Sequence, residues 1–172
     1  MPLLGEYARR KRIKFFTTYI SKEAKVLEVG CGDGWFGSYL RSNGLNYVGL
    51  DITPPADIVG DIRNWEELGI EKESFDVVVA FELVEHVPCF QEFSDILKPG
   101  GLLMLTSPVP HMDWLCRVLE FIGLNQKRTS SHDYLINFRD IPIFQPLEVR
   151  IVGFVGQWGI FRKPLAASPT SS

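Results

Sequence analysis

The chain has 172 residues with a formal net charge of −3, 45% hydrophobic and 23% charged residues. That suits one globular domain and excludes wholesale disorder, and the mild acidity lacks the basic excess of a nucleic-acid binder. No apolar run is long enough to span a bilayer. Charge follows the first apolar residues instead of preceding them, which is the wrong order for a secretory leader. Cys31, Cys89 and Cys116 are odd in number and widely spaced, so no disulfide framework is expected and a cytoplasmic setting is.

Residues 7–20 read as an amphipathic helix. Tyr7, Ala8, Ile13, Phe16, Tyr19 and Ile20 share one broad face, and Arg9, Arg10, Lys11, Arg12 and Lys14 crowd the rest. The cations form either a solvated face or a lid that meets an anionic substrate or a membrane surface. Lys25–Val29 is a short strand ending at a glycine cluster. Trp35, Phe36, Tyr39 and Leu40 recur at helical spacing and Gly44 supplies a stop. Tyr47–Asp51 is a second strand and Asp57–Asp61 a short third. Phe75–Phe81 is nearly continuous in apolar residues, as a strand covered on both faces must be.

Pro88 suits the first position of the next helix, whose stripe is Phe90, Phe93 and Leu97. Lys98–Gly101 is a turn and Leu102–Leu105 a fifth strand. Trp114, Leu115, Val118, Leu119 and Ile122 form another helical face, while 124–146 carry no clear pattern. Leu147–Phe154 and Gln157–Arg162 are strands whose link is too short for a parallel crossover, so they pair as an antiparallel hairpin. The final Ala-Ser-Pro-Thr-Ser-Ser is expected to fray. Alternating strands and helices give a parallel sheet with helices on both faces.

The chemistry concentrates in Val26-Leu27-Glu28-Val29-Gly30-Cys31-Gly32-Asp33-Gly34-Trp35, a strand, a glycine loop and a helix start. Glycines let the backbone bend and let a ligand approach, and ligands of open parallel sheets sit beyond the carboxyl ends of the strands. Glu28, Asp51, Asp61 and Glu82 all fall at or near such ends. A ring of carboxylates repels a phosphate-rich cofactor and welcomes a cationic one that bears hydroxyls. The dinucleotide pattern G-x-G-x-x-G also fails, because Trp35 stands where the third glycine belongs. A nucleotide-dependent oxidoreductase is therefore disfavoured.

These pieces resemble the class I S-adenosylmethionine-dependent methyltransferases, of the type 11 small-molecule kind. The matching stretches are VLEVGCGDG, YVGLDIT, GDI, FDVVVAFELVEHV and LKPGGLLMLTSP, spanning residues 25–108 in family order. The resemblance implies an α/β, three-layer Rossmann-like fold. Its seven-stranded sheet has the order 3-2-1-4-5-7-6 with the last strand antiparallel, laid onto one domain over residues 1–172 of this chain. Within it, 1–24 would be an N-terminal lid helix, 25–163 the core and 164–172 a disordered tail.

Carried over position by position, the resemblance implies that Gly30, Cys31, Gly32 and Gly34 hold the methionine part of S-adenosylmethionine and Glu28 orients that region. It implies that Asp51 binds the ribose hydroxyls, Ile52 packs on the adenine, Asp61 and Ile62 meet its edge, and Phe81 and Glu82 flank the cofactor. The product would be S-adenosylhomocysteine. His86, His111 and His132 are the candidate bases. Three separated histidines and three separated cysteines make no zinc set. Phe-Glu-Leu-Val after the fourth strand argues against an amino-methylase of adenine or glutamine.

The expected acceptor is a small molecule, with no nucleic-acid partner. The protein would be a monomer or homodimer, with peripheral membrane contact through 9–14 a weaker reading. The acceptor site is expected between the first helix and 108–146, near His111, Trp114, His132 and Tyr134. The alternative function is a noncatalytic module that binds the cofactor or a partner without turnover.

Overall fold

A computed structural model describes residues 3–109, 136–153 and 156–165. Ten elements follow in chain order: α1 (Leu3–Phe16), β1 (Lys25–Val29), α2 (Trp35–Ser42), β2 (Asn46–Asp51), β3 (Ile58–Val59), β4 (Phe75–Phe81), α3 (Phe90–Ile96), β5 (Leu97–Pro108), β6 (Gln145–Val152) and β7 (Gly156–Arg162). They form one seven-stranded sheet of order β3-β2-β1-β4-β5-β7-β6. β1 to β5 are parallel, and β7 runs antiparallel to both β5 and β6. The fold class and the reversed strand are as expected from the sequence. The short link after β6 forces the reversal, since so few residues cannot cross back to the far end of the sheet.

Period-two alternation sends each strand's side chains to two different cores. Leu27, Val29, Val78, Ala80, Leu103 and Leu105 face α3, joined by Phe93, Phe138 and Phe144. Val26, Val77, Val79, Met104 and Ile160 face the other way, against Phe16, Phe36 and Leu40 of α1 and α2. Phe16 has no exposed surface, so the segment expected to be a lid also builds one layer of the sheet's cover.

Several boundaries differ from the sequence reading, each for a local reason. The first helix ends at Phe16 and tightens into a 3-10 turn over Thr17–Tyr19. The third strand keeps only Ile58 and Val59. Pro88 lies outside α3, whose N-cap is Cys89. Leu97, placed on the helical stripe, has extended backbone and opens β5. The Lys98–Gly101 turn is an irregularity inside β5: Leu97 pairs with Phe75 and Leu102 already with Val77. Gly100 has φ +78°, a conformation a side chain resists.

Candidate active site at the carboxyl ends of the strands

The glycine loop leaves β1 through three left-handed residues, Gly30, Gly32 and Gly34, with φ of +75°, +52° and +69°. Left-handed backbone at three alternate positions is nearly closed to residues with a Cβ, which is why glycine recurs there. Gly30 and Cys31 both donate to the Leu50 carbonyl, at 2.8 and 3.2 Å. The Gly32 N–H donates to Asp51 Oδ2 at 2.9 Å, and the other oxygen of Asp51 accepts from the Thr53 N–H and hydroxyl at 3.0 Å. Asp51 thus fastens the loop to the end of β2. A Cβ on Gly32 would meet no described residue within 4 Å, so the described residues leave that face of the loop clear for a ligand.

Beneath the loop Glu28 is 2% exposed and accepts a hydrogen bond from the Tyr47 hydroxyl at 2.5 Å. Burial pushes its carboxyl up to about 8; the Tyr47 hydroxyl pulls the other way, and Asp33 and Asp51 add to the rise. Tyr47 fits because two glycines leave room for its ring. A Cβ on Gly37 would stand 2.3 Å from the ring, and one on Gly49 would stand 2.9 Å from the hydroxyl. Cys31 is also buried, and desolvation raises its thiol to about 11, with Glu28 and Asp51 adding to the rise. It stays protonated and un-nucleophilic near neutrality. Tyr47, Gly37 and Gly49 were read from sequence only as strand and helix residues; the available signal was a glutamate inside an apolar strand, which needs a donor nearby.

The remaining expected cofactor residues spread along the same edge. Ile52, directly after Asp51, is 70% exposed. Asp61 caps the 3-10 turn over Ile62–Asn64 and pairs with Arg63, which lowers its carboxyl through that hydrogen bond. The Ile62 side chain lies in the core at 4% exposure, so only its backbone can meet a ligand. Phe81 stacks on Trp35 with ring centroids 5.8 Å apart and packs against Phe16 and Phe36.

α1 crosses this edge and spends two of its cations on it. Arg9 pairs with Asp33 of the glycine loop at 2.7 Å and lies over the Trp35 ring, while Arg12 pairs with Glu82 at 2.5 Å and lies over Phe81. These two arginines therefore answer the chain's own carboxylates. Neither was singled out from the sequence, because a run of cations on a helix does not show which of them find partners.

Among the candidate bases, His86 sits half-buried in the turn after β4, its backbone N–H donating to the Leu83 carbonyl at 2.8 Å. His111 and His132 lie outside the described residues, as do Trp114 and Tyr134. Among the described residues no helix is long and apolar enough to cross a membrane.

A methyltransferase-domain family model matches residues 4–139. The chain belongs to that methyltransferase family. Its relatives include the ubiquinone biosynthesis O-methyltransferase of Ralstonia nicotianae, 30% identical over 132 residues, which are 64% of this chain and 55% of that protein. The chain spans about half the length of the curated relatives it matches. Among solved structures, the PH0226 protein of Pyrococcus horikoshii superposes with a TM-score of 0.66 at 21% identity, over 90% of this chain and 91% of that one. Phosphoethanolamine N-methyltransferase 2 of Haemonchus contortus, solved with S-adenosyl-L-methionine, gives 0.64 at 15% identity over 90% and 52%. These likenesses share the fold, and family membership carries S-adenosylmethionine as the family's cofactor.

Proposed function

We propose that this chain transfers the methyl group of S-adenosylmethionine to a small-molecule acceptor. The observation that carries this reading is the glycine loop with three left-handed residues, tied to Asp51 through the Gly32 N–H, inside a family member's sheet. The cofactor brings an already electrophilic sulfonium methyl; the chain's work is binding, orientation and exclusion of water. In this reading the loop backbone from Gly30 to Gly34 takes the methionine part. Asp51 takes the ribose hydroxyls, and Ile52 and the Asp61–Ile62 backbone take the adenine. Phe81 and Glu82 border the methyl. Glu28 works from below: neutral and held by Tyr47, it shapes the loop without adding charge to it. The acceptor's attacking atom must come roughly 3–3.5 Å from the methyl, in line with the breaking bond.

The acceptor class is inferred from the relatives' names, which place an O-methyl transfer in ubiquinone biosynthesis. A small hydroxylated acceptor also suits a chain of net charge −3 better than a nucleic acid does. The test is calorimetry with S-adenosylhomocysteine, followed by release of S-adenosylhomocysteine from S-adenosylmethionine in the presence of catechols and phenols. Binding without turnover across the panel favours the noncatalytic module. No binding at millimolar ligand overturns the reading.

A further inference from the structure

An open sheet has two edges, and this one guards them unequally. β3 ends one side with only Ile58 and Val59, too short to template another strand. β6 ends the other side and is 8 residues long. Among the described residues no strand pairs with its outer edge. Its protection sits at one end: Pro146 has no N–H to offer, and the register with β7 breaks between Pro146 and Glu148. From Glu148 to Val152 the ladder with β7 is regular, so the outer backbone groups of that stretch stay in line.

The residues along this stretch are self-complementary. Leu147 and Ile151 stand two places on either side of Val149 and are 40% and 60% exposed. Glu148 and Arg150 stand one place on either side of it and carry opposite charges. A two-fold axis through Val149 lays a second copy of the strand antiparallel to the first. Leu147 then lies opposite Ile151 of the second copy, Glu148 opposite its Arg150, and Val149 opposite its own counterpart. Apolar residues meet apolar ones and each charge meets its opposite, the pairings that stabilise neighbouring strands. A slip of one residue sets apolar residues against charges. A slip of two sets Glu148 against Glu148 or Arg150 against Arg150, so the sequence selects a single register. Arg150 is already oriented for this: it pairs with Glu148 of its own chain, lies over the Phe15 ring and keeps 58% of its side chain exposed.

We propose that β6 is a self-association surface, on which a second copy of this chain pairs its own β6 antiparallel about Val149 and joins the two sheets into one. The contact is isologous, so it uses the open edge of both copies and stops at a dimer. The charges form a quartet in which each carboxylate lies between two guanidiniums. β5 and β6 both run antiparallel to β7, so β6 points the same way as the parallel strands. The carboxyl edges of the two copies therefore face opposite ways, and each glycine loop lies away from the other. A strand pair this short buries less than the roughly 1,600 Å² of a standard interface, so the association is weak and follows concentration.

Sedimentation equilibrium of the full chain should show the mass rising from monomer towards dimer as concentration increases. Ile151→Glu sets a charge against Leu147 twice in each dimer and should weaken association at least about tenfold. Adding Leu147→Lys places an ammonium opposite that carboxylate and should recover most of the loss. Circular dichroism checks that each variant keeps the fold. Cross-linking serves if Ile151→Glu folds poorly, and it is run with Cys116→Ser because Cys31 and Cys89 are buried. Val149→Cys lies on the axis, its opposed Cα atoms about 4.5–5.5 Å apart, and a mild oxidant should give a disulfide-linked dimer. Leu147→Cys stands about 14 Å from its counterpart in this register and should stay monomeric. A monomer mass at every concentration up to about 1 mM overturns the proposal. It is equally overturned if Ile151→Glu associates like wild type, if Leu147→Lys restores nothing, or if Leu147→Cys cross-links as readily as Val149→Cys.

Discussion

The molecule buries two glutamates at the carboxyl edge of its sheet and treats them differently. Glu28 and Glu85 are 2% and 1% exposed, and burial is the largest cause of each rise to about 8. Glu28 has a dedicated donor in Tyr47, seated in a space that Gly37 and Gly49 leave open, and its neighbours are loop and core. Glu85 has a second carboxyl beside it and an oxygen with no partner among the described residues. Equal burial therefore does not mean equal role. One carboxyl is matched by a donor, while the other is left with an unpaired oxygen.

The largest effect should come from crowding the Tyr47 seat. Gly37→Val places a side chain where a Cβ already stands 2.3 Å from the ring. Overpacking of this kind costs about 1–3 kcal/mol or more, so chemical denaturation should show a clear loss of stability. Breaking the loop's anchor should rank next. Asp51→Ala removes the acceptor of the Gly32 N–H as well as the proposed ribose partner. Hydrogen bonds to a charged group are worth about 1.5–3 kcal/mol, so S-adenosylhomocysteine should bind at least tenfold more weakly by calorimetry.

Tyr47→Phe sharpens the contrast between the glutamates, since it leaves Glu28 without its donor. A buried group stripped of its partner costs about 1–3 kcal/mol, and the melting temperature should fall while the Glu85 carboxyl still titrates near 8. The two glutamates also predict a common pH dependence of stability. Each has a folded-state value of about 8 and an ordinary value of 4.5. Between those values the native state holds protons that the unfolded chain has released, so stability is full below 4.5 and declines as pH rises towards 8. Melting temperature should therefore drop between pH 5 and 8, and Glu28→Gln and Glu85→Gln should each flatten part of that slope. The smallest effect belongs to Arg9→Ala. Its ion pair with Asp33 is a partly exposed one, worth about 0–1 kcal/mol, and should be felt more in high-salt sensitivity than in stability.

Most of the architecture was legible in the residues. The apolar run of β4 has to be a central strand, and the short link before β7 has to reverse the chain. The glycines at 30, 32 and 34 mark where the backbone turns left-handed. The boundaries that slipped were those decided by neighbours. Leu97 carries a helix-compatible side chain, yet pairing with Phe75 draws it into β5. Pro88 looked like a helix start, yet α3 begins only after Cys89, where Phe90 can turn into the core.

The sequence by itself determined the sheet, its order once the family resemblance was seen, and the line of carboxylates along its edge, because these follow from local propensity, periodicity and loop length. Only the tertiary structure decided what each carboxylate answers to. Glu28 meets Tyr47 from the next strand, Asp33 and Glu82 meet arginines of a helix that precedes them by tens of residues, and Glu85 lies buried beside β5. A side chain's charge state depends on what excludes water from it and what stands within hydrogen-bond reach. Both are settled by packing between segments that the sequence keeps far apart.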